Sequence, residues 1–266
     1  MKRQILITND DSINAKGIKE IADFMRGFGD VTVVAPQTPQ SARSAALSIG
    51  QALRLTRHEA ACFKASSGRG SIEVYDFNGT PTDCTKVGMK LFIDKGMMPD
   101  LLVSGVNHGT NASIASMYSG TLGAAAEAAV YGVPSIGLSI CTHIPDADFT
   151  AVKHFTRIIL EQFFANPPSK VIYLNINFPN IPQEQIKGIR MAHQGNGRWI
   201  NEYTVTKDPY GNLAYWMVGE FVNQEEDPGS DADHLLNNEG WVTIVPHTID
   251  TTSYSEKERL EKLWKF

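Results

Sequence analysis

The feature that most constrains the fold is a short stretch near the N-terminus, Ile5–Ser12, with the sequence ILITNDDS. Its three apolar residues run without interruption, as in a strand that is buried on both faces of a parallel sheet. Asn9, Asp10 and Asp11 follow directly. Open α/β sheets bind ligands beyond the carboxyl ends of their strands, so this order predicts a functional site. The alternative is a turn or a helix cap made from ordinary Asn and Asp chemistry.

The first 35 residues predict a βαβ unit. After the acidic loop, apolar residues recur at helical spacing, and a second apolar strand is predicted at 31–35. The helical stripe consists of Ile18, Ile21, Ala22 and Met25. Strand, helix and strand in this order predict parallel pairing and a right-handed crossover.

The middle of the chain continues the alternation of strands and helices. A hairpin or edge strands are expected over 51–78, and a helix with Thr82 or Asp83 as its N-cap is expected to follow. The further predicted elements are strands at 101–105, 135–140 and 171–178 and helices at 122–131 and 146–165. This order predicts the α/β class, with a mostly parallel sheet flanked by helices.

The sequence pattern changes at about residue 187, where helical periodicity ends and aromatic residues appear among Gly and Asp. A long β-hairpin is predicted around the turn at 208–212, then a loop at 227–231, a strand at 241–245 and a helix at 253–266. We therefore predict a catalytic core at 1–186. The region 187–266 is predicted to hold a hairpin arm, a returning strand and a terminal helix used in oligomerisation, because exposed apolar surface usually has a partner.

Composition argues against several classes of protein. The net charge of −5 and the lack of a basic stripe argue against a surface for nucleic-acid polymers. No stretch approaches the roughly 20 apolar residues of a membrane span. Cys62, Cys84 and Cys141 are widely spaced and odd in number, which favours reduced thiols in a cytoplasmic protein over a disulfide framework.

Three polar places follow predicted parallel strands and should meet at one edge of the sheet. They are Asp10 with Asp11, the Ser-rich loop at 36–48, and Asn107. All of them offer oxygen ligands, which suit Mg²⁺, Mn²⁺ or Ca²⁺ better than zinc. A hard divalent cation is therefore predicted at this edge.

A second candidate feature is the start of the Ala-rich helix, Ser119-Gly120-Thr121. Backbone N–H groups and hydroxyls converge at such a start, where the helix dipole favours an anion, so it could cradle a phosphate. The alternative is a plain Ser/Thr cap. A cation together with a phosphate site is the minimum requirement for metal-assisted hydrolysis of a phosphate ester.

Five motifs occur in one order along the chain. They are Asn9-Asp10-Asp11, Val34-Ala35-Pro36, Gly79–Cys84, Val103–Gly109 and Tyr118–Thr121. Together they resemble the SurE (survival protein E) nucleotidases, and the resemblance runs from residue 4 to about 250. It implies a Rossmann-like core, an extended hairpin and a C-terminal segment exchanged between subunits of a homodimer or homotetramer. The implied activity is metal-dependent hydrolysis of nucleoside 5′- and 3′-monophosphates.

The resemblance also implies roles for individual residues. One divalent cation per subunit, Mg²⁺ or Mn²⁺ and in crystals also Ca²⁺, would be held by Asp10, Asp11, Ser41 and Asn107. The phosphate would be bound by Asn9, Asn107, His108, Ser119, Gly120 and Thr121. On chemical grounds we further expect Asp10 or Asp11 to orient or deprotonate the attacking water, while Asn9 and the N-terminus of the Ala-rich helix stabilise the developing charge.

Three positions depart from the family pattern. Ser12 replaces a usual glycine, which bears on the dihedral angles of the turn. Gln40 replaces an arginine before the ligand serine, so Arg43 is a substitute cation and Ser44 a rival of Ser41. His108 stands where arginine is common and is an alternative general acid.

Two other functions are alternatives for a chain with this predicted sheet. A dinucleotide-dependent oxidoreductase would need G-x-G-x-x-G after the first strand, where this chain has an acidic loop. A non-catalytic nucleotide-binding module is the second alternative. Turnover of p-nitrophenyl phosphate with and without EDTA distinguishes both from a metal-dependent phosphatase.

Overall fold

The computed structural model describes residues 2–58, 63, 70–170, 172–223, 229–232 and 240–266. The strands are β1 Arg3–Thr8, β2 Gly29–Pro36, β3 Leu55–His58, β4 Ile72–Phe77, β5 Leu101–His108, β6 Ser135–Ile140, β7 Tyr173–Phe178, β8 Ile189–Met191, β9 Arg198–Ile200, β10 Tyr203–Lys207, β11 Leu213–Met217, β12 Glu220–Val222 and β13 Val242–His247. The α-helices are α1 Lys16–Met25, α2 Pro81–Asp94, α3 Gly120–Val130, α4 Thr150–Ala165 and α5 Tyr254–Leu263, with 3₁₀ turns at Ser113–Met117 and Gln183–Gln185.

A large sheet organises these elements. Within the described ranges, nine strands pair in the order β3-β4-β2-β1-β5-β6-β7-β13-β8. The pairings from β4 through β2, β1, β5 and β6 to β7 are all parallel. This is the strand order of the doubly wound dinucleotide-binding fold, whose direction of winding reverses between β1 and β5. The predicted α/β class with a mostly parallel sheet is confirmed.

The alternation of side chains in β1 explains its uninterrupted apolar sequence. Ile5 and Ile7 belong to a core that includes residues of α1 and α4, on one face of the sheet. Leu6 belongs to the core on the opposite face, with residues of α2 and α3. Both faces of the strand are thus covered by helices, which is the condition under which a strand has no polar face.

The N-cap of α2 was predicted wrongly. The cap is Thr80, not Thr82 or Asp83: the Thr80 hydroxyl accepts the Asp83 backbone N–H at 3.1 Å, and the Asp83 carboxylate accepts the Thr80 N–H at 2.9 Å. This is a capping box, in which two otherwise unpaired donors are satisfied reciprocally. Pro81 at the first helical position has a backbone angle that already suits the helix.

Other predicted elements agree with the structure apart from their ends. β5 extends to His108, and α4 begins at Thr150 rather than at 146. The hairpin of β10 and β11 is antiparallel around the predicted turn, and β3 and β4 are antiparallel neighbours, with β3 at the edge of the sheet. The large sheet continues beyond residue 187, since β8 and β13 join it. The domain boundary at 186/187 stays a prediction.

Two of the three cysteines lie in the described part of the chain. Cys84 is buried and Cys141 is half-buried, and both are free thiols. Cys62 and part of the predicted loop at 227–231 lie outside the described residues. None of the described helices is long and apolar enough to cross a lipid bilayer.

We expect Thr80→Ala to lower the free energy of unfolding by about 1–2 kcal/mol, because the helix loses its N-cap oxygen. The same hydroxyl donates to the Ala46 carbonyl at 2.6 Å, so the loop at 36–48 loses an anchor as well. Urea denaturation measures the change. Thr80→Ser is the matched control and should stay close to wild type; equal stabilities for the Ala and Ser variants would contradict the role of the cap.

Candidate active site

The predicted site residues meet at the carboxyl ends of β1, β2 and β5. Gln40 donates its backbone N–H to the Asp10 carbonyl at 2.7 Å, which brings in the loop that follows β2. Thr121, at the start of α3, donates its hydroxyl to the Asp10 carboxylate at 2.6 Å. His108, at the end of β5, donates its backbone N–H to Asp11 at 2.9 Å. The acidic loop and these three other stretches of sequence thus form one site at the switch point of the sheet.

Asp10 is the buried centre of this site, with 4% of its surface exposed. Burial raises its pKa to about 6, the hydrogen bond from Thr121 opposes this shift, and the nearby Asp11 charge adds to it. A side chain at position 120 would crowd the carboxylate, because a Cβ on Gly120 would lie 3.0 Å from the Asp10 Cβ and Asp10 would have to shift. Glycine here allows the first turn of α3 to approach the carboxylate, which the helix dipole favours.

Asp11 is half-buried and is held by His108. One carboxylate oxygen of Asp11 accepts both the backbone N–H and the ring Nδ1 of His108, each at 2.9 Å. The ring lies edge-on to Phe149 at a centroid distance of 5.6 Å, and its Nε2 is buried without a hydrogen-bond partner among the described residues. His108 therefore orients the acidic loop, a contact that the sequence analysis did not predict.

Asn9 lies at the base of the acidic loop and is fully buried. Its Nδ2 donates to the Ser12 carbonyl at 2.9 Å, while its Oδ1 is buried without a partner in the described part of the chain. Ser12 has a φ of +86°, in the left-handed region. A glycine adopts this conformation freely, whereas another residue is strained by about 1–2 kcal/mol. The turn thus has the left-handed conformation that a glycine would adopt without strain, and Ser12 adopts it at an energetic cost.

The loop at 36–48 places its two candidate serines differently. Gln40 is bound to Asp10, so Ser41 follows directly after a contact with the acidic loop. Ser44 instead donates its hydroxyl to the Met117 carbonyl at 2.9 Å, and its backbone N–H bonds the Tyr118 carbonyl at 3.1 Å. The Ser44 hydroxyl is thus already engaged by the Met117 carbonyl, and the assignment of Ser41 as the ligand stays a prediction. Arg43, the candidate phosphate partner, is exposed beside Ser44.

Asn107 and the start of α3 complete the predicted set. The Asn107 Nδ2 donates to the Gly109 carbonyl at 2.8 Å, which leaves its Oδ1 as the atom able to bind a cation. Ser119 is the N-cap of α3, since its hydroxyl accepts the Leu122 N–H at 3.1 Å. The hydroxyl of Thr121 is directed at Asp10. The cap interpretation is confirmed for Ser119, and phosphate binding by this turn stays a prediction.

Sequence reasoning missed His143. This residue follows β6, and its Nδ1 lies 3.1 Å from the His108 carbonyl. The ring covers Gly109 closely, because a Cβ on that glycine would lie 2.6 Å from the His143 Cε1. The available signal was its place after the strand at 135–140, which ends at the same edge of the sheet as the acidic loop.

The electrostatics of the site fit a hard cation. Among the described residues, no Lys or Arg forms an ion pair with Asp10 or Asp11, although the two carboxylates are close enough to raise the pKa of Asp10. Among the described residues, no three His, Cys, Asp or Glu side chains are grouped so that they could hold a metal ion by themselves, so a cation here would also need amide and hydroxyl ligands. Two carboxylates supplemented by amide and hydroxyl oxygens suit Mg²⁺, Mn²⁺ or Ca²⁺.

Comparison with known proteins shows the family of this chain. The family model described as "Survival protein SurE" matches residues 5–201. A curated protein of Cytophaga hutchinsonii is 41% identical over 265 residues, covering 100% of this chain and 98% of that protein. The chain belongs to the SurE family.

Two further comparisons give the same relationship over nearly the whole chain. A Christiangramia forsetii protein is 38% identical over 253 residues, with 95% of this chain and 94% of that protein covered. Both curated relatives bear the name 5′-nucleotidase SurE. The crystal structure of the SurE protein from Aquifex aeolicus superposes with a TM-score of 0.81 at 28% identity, covering 98% of this chain and 99% of that chain.

Asp10→Asn should stabilise the metal-free protein at pH 8 by roughly 1–3 kcal/mol, because it removes a desolvated charge. The pKa of Asp10 rises from 3.8 to about 6 on folding, so the folded state holds a proton that the unfolded chain loses. The stability that Asp10 contributes is complete below pH 3.8 and is lost as the pH rises through about 6.

The measurement is urea denaturation in EDTA from pH 4 to pH 8. We expect the difference between Asp10→Asn and wild type to be small at pH 4 and to grow as the pH rises. Asp94→Asn, at an exposed end of α2, is the control and should show no such growth. A constant difference across this range would contradict the shifted pKa.

Proposed function

We propose that this SurE-family protein is a divalent-cation-dependent phosphomonoesterase that hydrolyses nucleoside 5′-monophosphates, and also 3′-monophosphates, to nucleoside and phosphate. The observation that carries the proposal is the pair Asp10 and Asp11 at the switch point, without a Lys or Arg partner among the described residues. The names of the curated relatives, 5′-nucleotidase SurE, support the same reaction class.

The proposed cation ligands are Asp10, Asp11, Ser41 and Asn107. The Oδ1 of Asn9, the residue before Asp10, is buried and has no hydrogen-bond partner among the described residues, so the acidic loop holds a further unused acceptor. A bound divalent cation polarises phosphoryl oxygens and lowers the pKa of a water molecule. Mg²⁺ and Mn²⁺ are the expected ions, since the donors are all oxygen atoms.

The protein's own groups would orient the reactants. Asp11 is fixed by two hydrogen bonds from His108, which leaves its second oxygen to orient or deprotonate the attacking water. The Thr121 hydroxyl holds Asp10, and the N-terminus of α3 would stabilise the negative charge of the phosphate. His143, which lies against the His108 carbonyl, and Arg43, which is exposed in the loop that Gln40 joins to Asp10, are candidates for contact with the substrate.

An acidic loop after β1 argues against the alternative of dinucleotide binding. In that class a glycine-rich turn exposes backbone N–H groups to the pyrophosphate at the same position. Asp10 and Asp11 would repel a pyrophosphate in the absence of a cation. A non-catalytic nucleotide-binding module remains the alternative, and turnover decides between them.

Purified protein should release phosphate from AMP and from p-nitrophenyl phosphate only when Mg²⁺ or Mn²⁺ is present. EDTA should abolish this turnover, and added cation should restore it. Asp10→Ala should lower kcat by at least roughly 100- to 1,000-fold while the circular dichroism spectrum stays unchanged. Asp94→Ala is the matched control and should keep wild-type kinetics.

Two results would contradict the nucleotidase proposal. One is turnover that EDTA leaves unchanged, and the other is near-normal turnover by an Asp10→Ala variant that still binds the cation. Nucleotide binding without any turnover would instead support the non-catalytic module. Comparison of 5′-AMP with 3′-AMP tests the breadth of the activity.

We also propose that the protein is a homodimer or homotetramer assembled through the region 187–266. The hairpin of β10 and β11 has one apolar face, because Val205 pairs with Tyr215 and Tyr203 pairs with Met217 across the strands. Each of these four side chains is more than half exposed. An isolated two-stranded hairpin is marginally stable in water, so we expect this apolar face to pack against another surface. A second copy of the chain is the proposed partner.

Val205→Glu should therefore shift the protein to a smaller assembly, because it places a charge in the apolar face of the hairpin. Thr204→Glu is the matched control, since Thr204 lies on the opposite face beside Trp216. Size-exclusion chromatography with light scattering measures the masses. Equal masses for both variants and wild type would contradict a contact through this face.

A further inference from the structure

Asp231 is a fully buried carboxylate far along the chain from the acidic loop. One of its oxygens accepts the Ser113 backbone N–H at 2.9 Å. The other accepts the Gly195 backbone N–H at 2.8 Å and the Ser113 hydroxyl at 3.3 Å. Each oxygen thus receives a backbone donor. An asparagine would turn an NH₂ group towards one of these donors, so only a carboxylate satisfies both.

The contact with Ser113 matters because Ser113 begins the 3₁₀ turn that precedes α3. Ser113 has a φ of +54°, and a non-glycine residue keeps this strained conformation only where its surroundings hold it. The N–H of the next residue, Ile114, also bonds the Gly197 carbonyl at 3.3 Å. Two segments, one at 195–197 and one at Asp231, therefore hold the beginning of this turn in place.

The end of the same turn holds the loop that carries Ser41. The Met117 carbonyl accepts the Ser44 hydroxyl at 2.9 Å, and the Tyr118 carbonyl accepts the Ser44 N–H at 3.1 Å. The fit is close, since a Cβ on Gly123 of α3 would lie 2.1 Å from the Ser44 carbonyl oxygen. The turn thus anchors the C-terminal half of the loop at 36–48 through Ser44, in addition to the bonds that Gln40 makes with Asp10 and Ala46 makes with Thr80.

We propose that Asp231 is a positioning residue for the active site: it holds the turn at 113–118, which through Ser44 places the loop carrying Ser41. This rests on the proposed function in so far as Ser41 is a cation ligand. A carboxylate in the region 187–266 would then control the geometry of a site whose proposed cation and phosphate ligands all lie within the first 121 residues. The competing explanation is that Asp231 stabilises only the local structure around Gly195 and has no effect on the loop that carries Ser41.

Asp231→Asn tests the proposal, with two readouts that do not depend on turnover. The first is hydrogen exchange of residues 40–46 in the metal-free protein, and the second is Mn²⁺ affinity measured by calorimetry. We expect exchange in this loop to accelerate roughly tenfold and Mn²⁺ to bind about tenfold more weakly, as loss of a hydrogen bond to a buried charge implies. Exchange in β1 and β2 should stay unchanged.

Ser116→Ala is the matched control. Its hydroxyl lies in the same turn but bonds the exposed Gln194 side chain at 3.1 Å, away from the contacts with Ser44. This variant should keep wild-type exchange and Mn²⁺ affinity. Ser44→Ala breaks the other end of the connection and should reproduce the weaker Mn²⁺ binding without changing the melting temperature.

Wild-type exchange at residues 40–46 in a folded Asp231→Asn protein would overturn the proposal, and so would acceleration spread evenly over the whole chain. If Asp231→Asn does not fold, Ser44→Ala decides, and wild-type exchange in the loop of that variant overturns it. If the wild-type protein neither binds Mn²⁺ nor hydrolyses nucleotides, the proposed function fails, while the exchange measurement still decides the role of Asp231.

Discussion

The hydrogen bond from Thr121 to the buried carboxylate of Asp10 is the contact on which the site depends. It joins the end of β1 to the start of α3, two places 111 residues apart in sequence. Burial disfavours the charged form of Asp10 and raises its pKa to about 6. The ionised carboxylate therefore lowers the stability of the folded state. Such a cost is expected where a charge is kept for binding rather than for stability.

The fold accounts for why that carboxylate lies where it does. In a doubly wound sheet the helices on either side of the switch point run to opposite faces, which opens a crevice between β1 and β5. Dinucleotide-binding proteins put a glycine-rich turn there, so that backbone N–H groups meet a pyrophosphate. This SurE-family chain has Asn9, Asp10 and Asp11 in that position instead. The same architecture therefore presents acidic oxygens, and an anionic substrate would need a cation between it and the protein.

The region beyond residue 187 is joined both to the large sheet and to the turn that precedes α3. β13 pairs antiparallel with β7 and extends the large sheet, while the hairpin of β10 and β11 pairs only within itself among the described residues. Asp231 reaches back to Ser113 next to the start of α3. If the hairpin face forms a contact between subunits, as proposed, assembly and active-site geometry share one segment of chain.

The sequence by itself determined the strand and helix order and the group of oxygen donors, because the apolar run Ile5–Ile7 and the helical stripes are local patterns. It also predicted the meeting of Asp10, Asp11 and Asn107, since parallel strands bring their carboxyl ends to one edge. The N-cap Thr80 was missed because two neighbouring residues offered equally suitable side chains. Only the tertiary structure decided that Thr121 holds Asp10, that His108 holds Asp11 and that Asp231 holds Ser113. Those partners are far apart in the chain, and packing rather than local pattern sets which of them come within hydrogen-bond distance.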